Sequence, residues 1–280
     1  MRILGIVSVF RPSLADLEKN ILSYLSGVDH LILWENTPSA ESNLNLLANK
    51  INNSKIEIKT TGKNEYLAYP FNVCINWAIE NGFTHILTMD QDSYFSEGHF
   101  DVFKQTIENN NDDKIAIFTP TFETNVTVSQ NIHNLKLAYT SGAVYPTGLF
   151  TESGYFREDL LIYAIDTEFS FRVRKLGYRI VRFENVVLHH QMGYATKNKL
   201  GLTINNYPAI SSYYIIRNTI ILWKEYPEEF TKKDKVSLIK YKVIYRLLKL
   251  VFETDRLKKI KAILLGTMHG FQGKSGYYNI

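Results

Sequence analysis

Four short apolar runs in the first 90 residues are separated by segments of helical period, and this rhythm constrains the fold more than any other feature of the chain. RILGIVSVF reads as a strand. SLADLEKNILSYLSG follows as a helix, with Ser13 at its N-cap and Gly27 as its stop. HLILWEN is a second strand, ESNLNLLANKINN a second helix, and IEIKTT a third strand with strict alternation. PFNVCINWAIENG is a third helix, opening at Pro70 and closing at Gly82, and THILTMD is a fourth strand. Alternation of this kind predicts an α/β fold, a parallel sheet with helices on both faces. Ligands of such sheets collect beyond the carboxyl ends of the strands.

The texture changes after the helix around HFDVFKQTIENN and the strand KIAIFTP. NVTVSQ, KLAYTSGAVYPT and YRIVRFENVVLHH read as shorter strands of a mixed sheet, with AIDTEFSFRVRKLG between them as a helix ending at Gly177. Beyond residue 208 the chain is expected to be helical to roughly residue 264. In KVSLIKYKVIYRLLKLVFE the apolar residues form one stripe and Lys/Arg the other. The organisation expected is a domain over 1–208, with halves 1–95 and 96–208, followed by a basic helical extension over 209–280.

Charge is unevenly spread. The net charge is +4, yet residues 231–280 carry 12 Lys/Arg against 3 Asp/Glu, while residues 1–230 carry 20 against 25. A basic tail on an acidic body suggests an anionic partner, and an anionic membrane surface suits an amphipathic basic helix. An ordinary solvated helix face accounts for the same pattern. A membrane span is not expected, because no apolar run reaches about 18 residues; ISSYYIIRNTIILW is broken by Arg217 and Asn218. MRILGIVSVF lacks the pattern of a secretory leader. With the lone Cys74, this fits a reducing, cytoplasmic setting, with the inner face of the cell membrane as the surface in reach. Nucleic-acid binding is not expected, since the basic region carries no reading motif. The aromatic carboxyl-terminal helices leave pairing into a homodimer open.

Three groups of residues carry candidate chemistry. In ILTMDQDSYF, Asp90 and Asp92 end an apolar strand. Two residues apart on an extended segment, they point to one side, where they repel unless a proton or a cation neutralises them. A turn is the plain reading, and a divalent cation facing a phosphorylated substrate is the functional one. Asp166 and Glu168 stand at a helix start, which the helix dipole alone explains, or which presents a general base to a substrate hydroxyl. Arg172, four residues after Glu168, fits an i,i+4 ion pair. His189 and His190 close a strand, where a histidine serves structure or completes a metal site.

Taken together these residues resemble a family 2 glycosyltransferase with the GT-A fold, and most of all its rhamnosyltransferase-like members. DQDS is similar to the family's metal-binding Asp-x-Asp, TSGAVYPTGLFTESGYF to its acceptor side, and AIDTEFSFRVRKLGYRI to its Glu-Asp-x-Asp…Arg…Gly-Tyr segment. HHQMG resembles its His-x-x-Gly pattern, which selects His190, and YYIIRN its Tyr-Tyr…Arg-Asn element. SVFRP, LWENTP and KNEYLAYPFN fall where the family contacts the nucleotide. The likeness spans residues 2–224. Ile165, Glu168 and Glu35 depart from it, as do Glu65 and Tyr66, which displace the usual glycine after Asn64.

The resemblance implies a GT-A type, Rossmann-like mixed sheet, mainly parallel, with the nucleotide-sugar half before the acceptor half. It implies an inverting, metal-dependent transfer of a sugar from a dTDP- or UDP-sugar to a cell-surface glycan or lipid-linked acceptor, with Mg2+ or Mn2+ as cofactor and rhamnose as the subgroup's suggestion. Asp166 takes the base position. Asp92, Asp90 and His190 take the metal. Val9, Phe10, Arg11, Glu35, Asn36, Asn64, Asn72, Asp90 and Gln91 face the donor, and Ser141, Gly142, Glu168 and Arg172 the acceptor. Two rivals remain. A nucleotidyltransferase would want a glycine-rich basic loop, whereas VSVFRPSLAD offers Arg11 and no glycine. A glycan- or membrane-surface-binding module would make the acidic pairs structural.

Overall fold

The computed structural model describes residues 1–122, 132–190, 207–250, 253 and 255–279, and the backbone of 195–197 and 203–205. The chain divides into two units, Met1–Phe156 with Phe169–Gln191, and Arg157–Glu168 with Met192–Ile280.

The first unit is an α/β layer structure. Strands β1 (Ile3–Val9), β2 (His30–Glu35), β3 (Ile56–Thr60) and β4 (His85–Asp90) alternate with helices α1 (Leu14–Leu22), α2 (Leu44–Ile51) and α3 (Ala68–Glu80). Next come β5 (Ser93–Phe95), α4 (His99–Glu108), β6 (Ile115–Phe122), β7 (Ile132–Leu135), β8 (Ala143–Pro146), α5 (Thr147–Ser153), α6 (Ile165–Lys175) and β9 (Arg179–His190). One nine-stranded sheet runs in the order β3-β2-β1-β4-β8-β6-β9-β5, with β7 on β9. β1 pairs in parallel with β2 and β4, β2 with β3, and β6 with β9, whereas β8, β5 and β7 run against their neighbours. The sheet is therefore mixed and mostly parallel.

The central strands are apolar on both faces because helices cover both. Ile3, Leu4, Ile6, Val7 and Val9 of β1 are fully buried. Leu87, Met89, Phe95, Phe103, Val181 and Phe183 continue the same core. Its single thiol, Cys74, is buried in α3, and burial pushes its pKa up to about 12, so it stays protonated and inert.

The second unit is helical. It contains the first turn of α6, then α7 (Ala209–Glu225), α8 (Lys232–Ser237), a π-helical segment Leu238–Ile244, α9 (Tyr245–Lys249) and α10 (Arg256–Gln272); β10 (Ala195–Lys197) and β11 (Thr203–Asn205) pair antiparallel. Ile216, Ile220, Leu238, Leu250 and Ile263 make its core. α10 lies tight on α7 because Gly266 lacks a side chain: a Cβ there would stand 2.7 Å from the Tyr213 carbonyl oxygen.

Several expected boundaries shift. α1 ends at Leu22, short of Gly27, and α3 begins at Ala68, two residues before Pro70. Within KLAYTSGAVYPT only Ala143–Pro146 is a strand. The stretch KVSLIKYKVIYRLLKLVFE, expected to be helical with one apolar stripe, contains a π-helical segment, and helix continues to Gln272, past residue 264. The strand expected at NVTVSQ lies outside the described residues. Among the described residues no helix is long and apolar enough to cross a membrane.

Candidate active site

The candidate metal ligands converge where β4 and β9 end. Asp90 is the last residue of β4 and His190 the last of β9, while Ser93 opens β5 directly opposite His190. Asp92 is not on an extended segment with Asp90, as the spacing suggested. Gln91 and Asp92 form a turn, and that turn brings the second carboxylate back beside the first. His190 Nδ1 lies 3.3 Å from an Asp92 carboxylate oxygen and 3.9 Å from one of Asp90. One ligand atom from each of Asp90, Asp92 and His190 lies within 4.8 Å of the others.

The donor chemistry fits a hard or borderline divalent cation, with two carboxylate oxygens and one imidazole nitrogen in mutual reach. Two adjacent carboxylates need positive charge between them. The hydrogen bond to Asp92, followed by the charges of Asp90 and Asp92, pushes the His190 imidazole toward its protonated form against the opposing effect of burial.

A line of hydroxyls fixes the imidazole. The Asp90 backbone N–H donates to Ser141 Oγ at 3.4 Å, Ser141 Oγ donates to Ser93 Oγ at 2.7 Å, and Ser93 Oγ lies 2.7 Å from His190 Nδ1. Gly142, beside Ser141, sits at φ +74° and donates its N–H to the Thr88 carbonyl at 2.8 Å. His189 points the other way along the strand. It meets Ser96 Oγ at 2.8 Å and stacks on Tyr94 with ring centroids 4.6 Å apart. A cleft of about 440 Å³ opens beside Asp92 and His190, lined also by Asp16, Lys19, Gln91 and Tyr94. The Lys19 ammonium stands 4.9 Å over the Tyr94 ring.

The candidate donor residues occupy the neighbouring strand ends. Gln91 joins the loops after β4 and β1, since its Oε1 accepts from the Phe10 N–H at 2.7 Å and its Nε2 donates to the Phe10 carbonyl at 3.2 Å. Val9, the last residue of β1, is buried, and Phe10 is exposed. Arg11 pairs with Glu41 at 2.8 Å, and its backbone N–H donates to Thr37 Oγ1. Glu35 is buried and accepts from the Thr37 N–H and the Ser42 hydroxyl. Asn36 donates to Ser8 Oγ and the Tyr66 carbonyl and accepts from the Glu65 N–H. Asn64 accepts from the Tyr66 N–H, and Asn72 makes a two-way bond with the Phe156 backbone. Glu35, Asn36 and Asn72 therefore shape the loops around the strand ends. Arg172 donates to the carbonyls of Ser153 and Tyr155.

Asp166 and Glu168 belong to the second unit. Asp166, half-buried, is the second residue of α6 and accepts from the Thr167 N–H at 2.7 Å and the Thr167 hydroxyl at 3.3 Å. Burial raises its pKa above the usual carboxylate range, while the bonds from Thr167 and the charge of Lys242 work the other way. Glu168 is buried and accepts from the Tyr226 hydroxyl at 2.8 Å. The loop before Asp166 is strained, with Leu161, Tyr163 and Ala164 all at positive φ. Arg217 and Asn218 of α7, both fully buried, hold that loop. Sequence reasoning marked YYIIRN without a role for this pair, and it passed over Ser93, Tyr94 and Lys242.

Comparison with known proteins defines the class of fold first. No family model matches the chain. Among solved structures it is similar to GalNAc-T7 with UDP, GalNAc and Mn2+, at a TM-score of 0.59 and 11% identity, over 81% of this chain and 49% of that one, so it spans about half of that chain's length. It is likewise similar to the mannosyltransferase PcManGT from Pyrobaculum calidifontis in complex with GDP-Man and Mn2+, at a TM-score of 0.58 and 10% identity, over 95% of this chain and 73% of that one. The fold is thus GT-A-like, a mixed, mostly parallel sheet flanked by helices. In sequence, the chain is 21% identical to dTDP-rhamnosyl transferase RfbF from Shigella flexneri over 301 residues, covering 98% of this chain and 97% of that protein.

Proposed function

We propose that the protein is a glycosyltransferase of family 2 that moves a sugar from a nucleoside diphosphate donor to a glycan or lipid-linked acceptor with inversion. The observation that carries this reading is the Asp90–Asp92–His190 cluster at the carboxyl ends of a GT-A-like sheet. Full-length similarity to a dTDP-rhamnosyl transferase favours a dTDP donor and rhamnose among the sugars.

In this reading Asp90, Asp92 and His190 would hold Mg2+ or Mn2+, which supplies positive charge against the leaving diphosphate. Ser93 and Ser141 keep the His190 ring in place. Val9, Phe10, Arg11, Glu35, Asn36, Asn64, Asn72 and Gln91 form or support the donor side. Ser141, Gly142, Glu168 and Arg172 serve the acceptor side. Asp166 accepts the proton of the acceptor hydroxyl as its oxygen attacks the anomeric carbon. A single displacement needs no enzyme nucleophile. The raised pKa of Asp166 brings its basicity closer to neutral pH, which suits a general base.

The domain reading belongs to the same proposal, with 1–208 as the transferase domain and 209–280 as a basic extension. That extension is assigned contact with an anionic membrane surface on the cytoplasmic side, and its exposed aromatics, Tyr241 and Tyr277 among them, are assigned to a homodimer contact.

The test is a screen of dTDP-, UDP- and GDP-sugars with Mg2+ or Mn2+, reading released nucleoside diphosphate. Metal-dependent release from one donor class is expected, with dTDP-rhamnose the leading candidate. Absence of release from every donor, with and without acceptor glycans, would count against the reading.

A further inference from the structure

The helical unit holds two neighbouring cations, and the carboxylate whose charge acts on one of them, Lys242, is the candidate base Asp166. Lys242, in the π-helical segment, and Arg246, in α9, lie four residues apart on successive turns. Among the described residues neither forms an ion pair. Lys242 Nζ donates only to a neutral partner, Thr219 Oγ1, at 3.1 Å. Arg246 makes no hydrogen bond among the described residues, and its guanidinium stands 4.7 Å over the Tyr207 ring. The acid nearest in charge to Arg246 is Glu253, which is already paired with Lys259 at 2.8 Å, with both side chains buried.

Such an arrangement is unfavourable by itself. Like charges four residues apart on a helix repel. Desolvation, followed by the charge of Arg246, weakens the hold of Lys242 on its proton while the charge of Asp166 strengthens it, and the Lys242 side chain still reaches solvent; desolvation acts in the same direction on the half-buried Arg246. π-helical turns are rare and recur at functional sites. A planar guanidinium that makes no hydrogen bond among the described residues, beside an ammonium, matches the oxygens of a phosphate group.

The pair also has a defined place. Asn218 donates to the carbonyls of Leu160, Ile162 and Tyr163, in the loop that leads into Asp166. The next residue, Thr219, receives Lys242. α7 therefore sets the candidate base loop and the two cations side by side within one unit.

We propose that Lys242 and Arg246 form a phosphate-binding site beside Asp166 that receives the phosphate of the acceptor, so that the acceptor is a phosphate-bearing glycan or lipid-linked glycan and not a neutral sugar. The anion site stands on the cluster itself. Its assignment to the acceptor rests on the glycosyltransferase reading.

The probe is inorganic pyrophosphate, titrated calorimetrically into the full chain with EDTA present so that no divalent ion competes for it. Saturable binding is expected, weakened roughly 10- to 100-fold in Lys242→Gln and in Arg246→Gln, the loss expected when a charge-assisted bond is removed. Arg246→Lys, which keeps the charge and loses the fork, should fall between. Lys258→Gln, at an exposed lysine of α10 outside the pair, should bind as wild type does. Equal affinity in wild type and both glutamine variants, or no binding by the wild type, overturns the site. Flotation with phosphatidylglycerol and phosphatidylcholine vesicles separates the sources of phosphate. If the double variant loses only phosphatidylglycerol binding and keeps its pyrophosphate affinity, the cations contact lipid headgroups and the acceptor assignment is overturned. None of these readouts needs turnover, so a silent donor screen would sink the transferase reading while leaving the anion site to stand or fall separately.

Discussion

The side-chain amide of Asn218 donates to the backbone carbonyl of Tyr163 at 2.9 Å, and through it a fully buried residue of α7 governs the loop that presents Asp166. The same amide reaches the carbonyls of Leu160 and Ile162 at 2.9 and 2.8 Å. Arg217 donates to the carbonyls of Asp159 and Gly276, so the carboxyl-terminal segment is tied in as well. These bonds hold three non-glycine residues at positive φ, which costs about 1–3 kcal/mol each. Asn218→Ala should leave buried carbonyls unpaired, at about 1–3 kcal/mol per group. Asn218→Asp, although isosteric, should be worse, because a carboxylate replaces the donors and faces carbonyl oxygens. Urea unfolding gives the order of stabilities. An aspartate variant as stable as wild type would mean that the amide donors are not what holds the loop.

Asp166→Asn should separate stability from turnover. Burial raises the Asp166 pKa, so the folded chain binds that proton more tightly than the unfolded chain does. The stability this group contributes is therefore present below the ordinary carboxylate pKa of 3.8 and is lost as pH rises through the higher folded value. At neutral pH the asparagine variant should melt above wild type, and the gap should close in acid. Transfer should fall about 10²–10⁴-fold while donor binding persists. In wild type, the acidic limb of kcat should lie above the ordinary carboxylate range. Normal transfer by the variant would remove Asp166 from the base role.

Much of the first unit was legible because its strands are central and parallel. Burial on both faces leaves continuous apolar runs such as Ile3–Val9, and helices of regular period separate them. Short elements escaped notice. α5 has seven residues and no periodic stripe, and β5 has three and is defined by its pairing with β9. The π-helical turn was invisible because a regular stripe of apolar residues does not report a change in hydrogen-bond step. At the site, the residue types of Asp90, Asp92 and His190 were readable, but their convergence depends on a turn and on the β5–β9 pairing, which are long-range facts. Lys242 and Arg246 looked like an ordinary solvated face, since sequence alone cannot show that the fold brings Lys242 within reach of the charge of Asp166.

Metal affinity should depend on the hydroxyls behind His190 as well as on the ligands. Ser93 Oγ lies 2.7 Å from His190 Nδ1 and receives the Ser141 hydroxyl. Groups that orient a ligating imidazole through its other ring nitrogen typically contribute about 10–100-fold to metal affinity, so the expectation applies to an ion taken by His190 Nε2. Ser93→Ala should therefore weaken Mn2+ binding by that order, and Asp92→Asn by at least as much. Titration of the Mn2+ paramagnetic resonance signal measures both. If Ser93→Ala bound Mn2+ as tightly as wild type, the hydroxyl line would have no part in holding the imidazole.

Gly142→Ala should damage both fold and site. Gly142 lies at φ +74°, where a side chain is strained, and a Cβ there would stand 2.7 Å from Leu188 Cδ2 and 2.9 Å from Pro120 Cγ. Leu188 is fully buried on β9 and Pro120 lies within β6, so neither yields without moving the sheet. Overpacking of this kind costs about 1–3 kcal/mol, and the left-handed backbone adds roughly 1–2 kcal/mol for a residue with a Cβ. Any relief displaces Ser141, whose hydroxyl bonds to Ser93 Oγ at 2.7 Å, and Ser93 in turn contacts His190. A lower urea midpoint should therefore be accompanied by weaker Mn2+ binding, measured under conditions where the variant remains folded. A variant that loses stability yet binds Mn2+ like wild type would show that the turn at Gly142 supports the sheet alone.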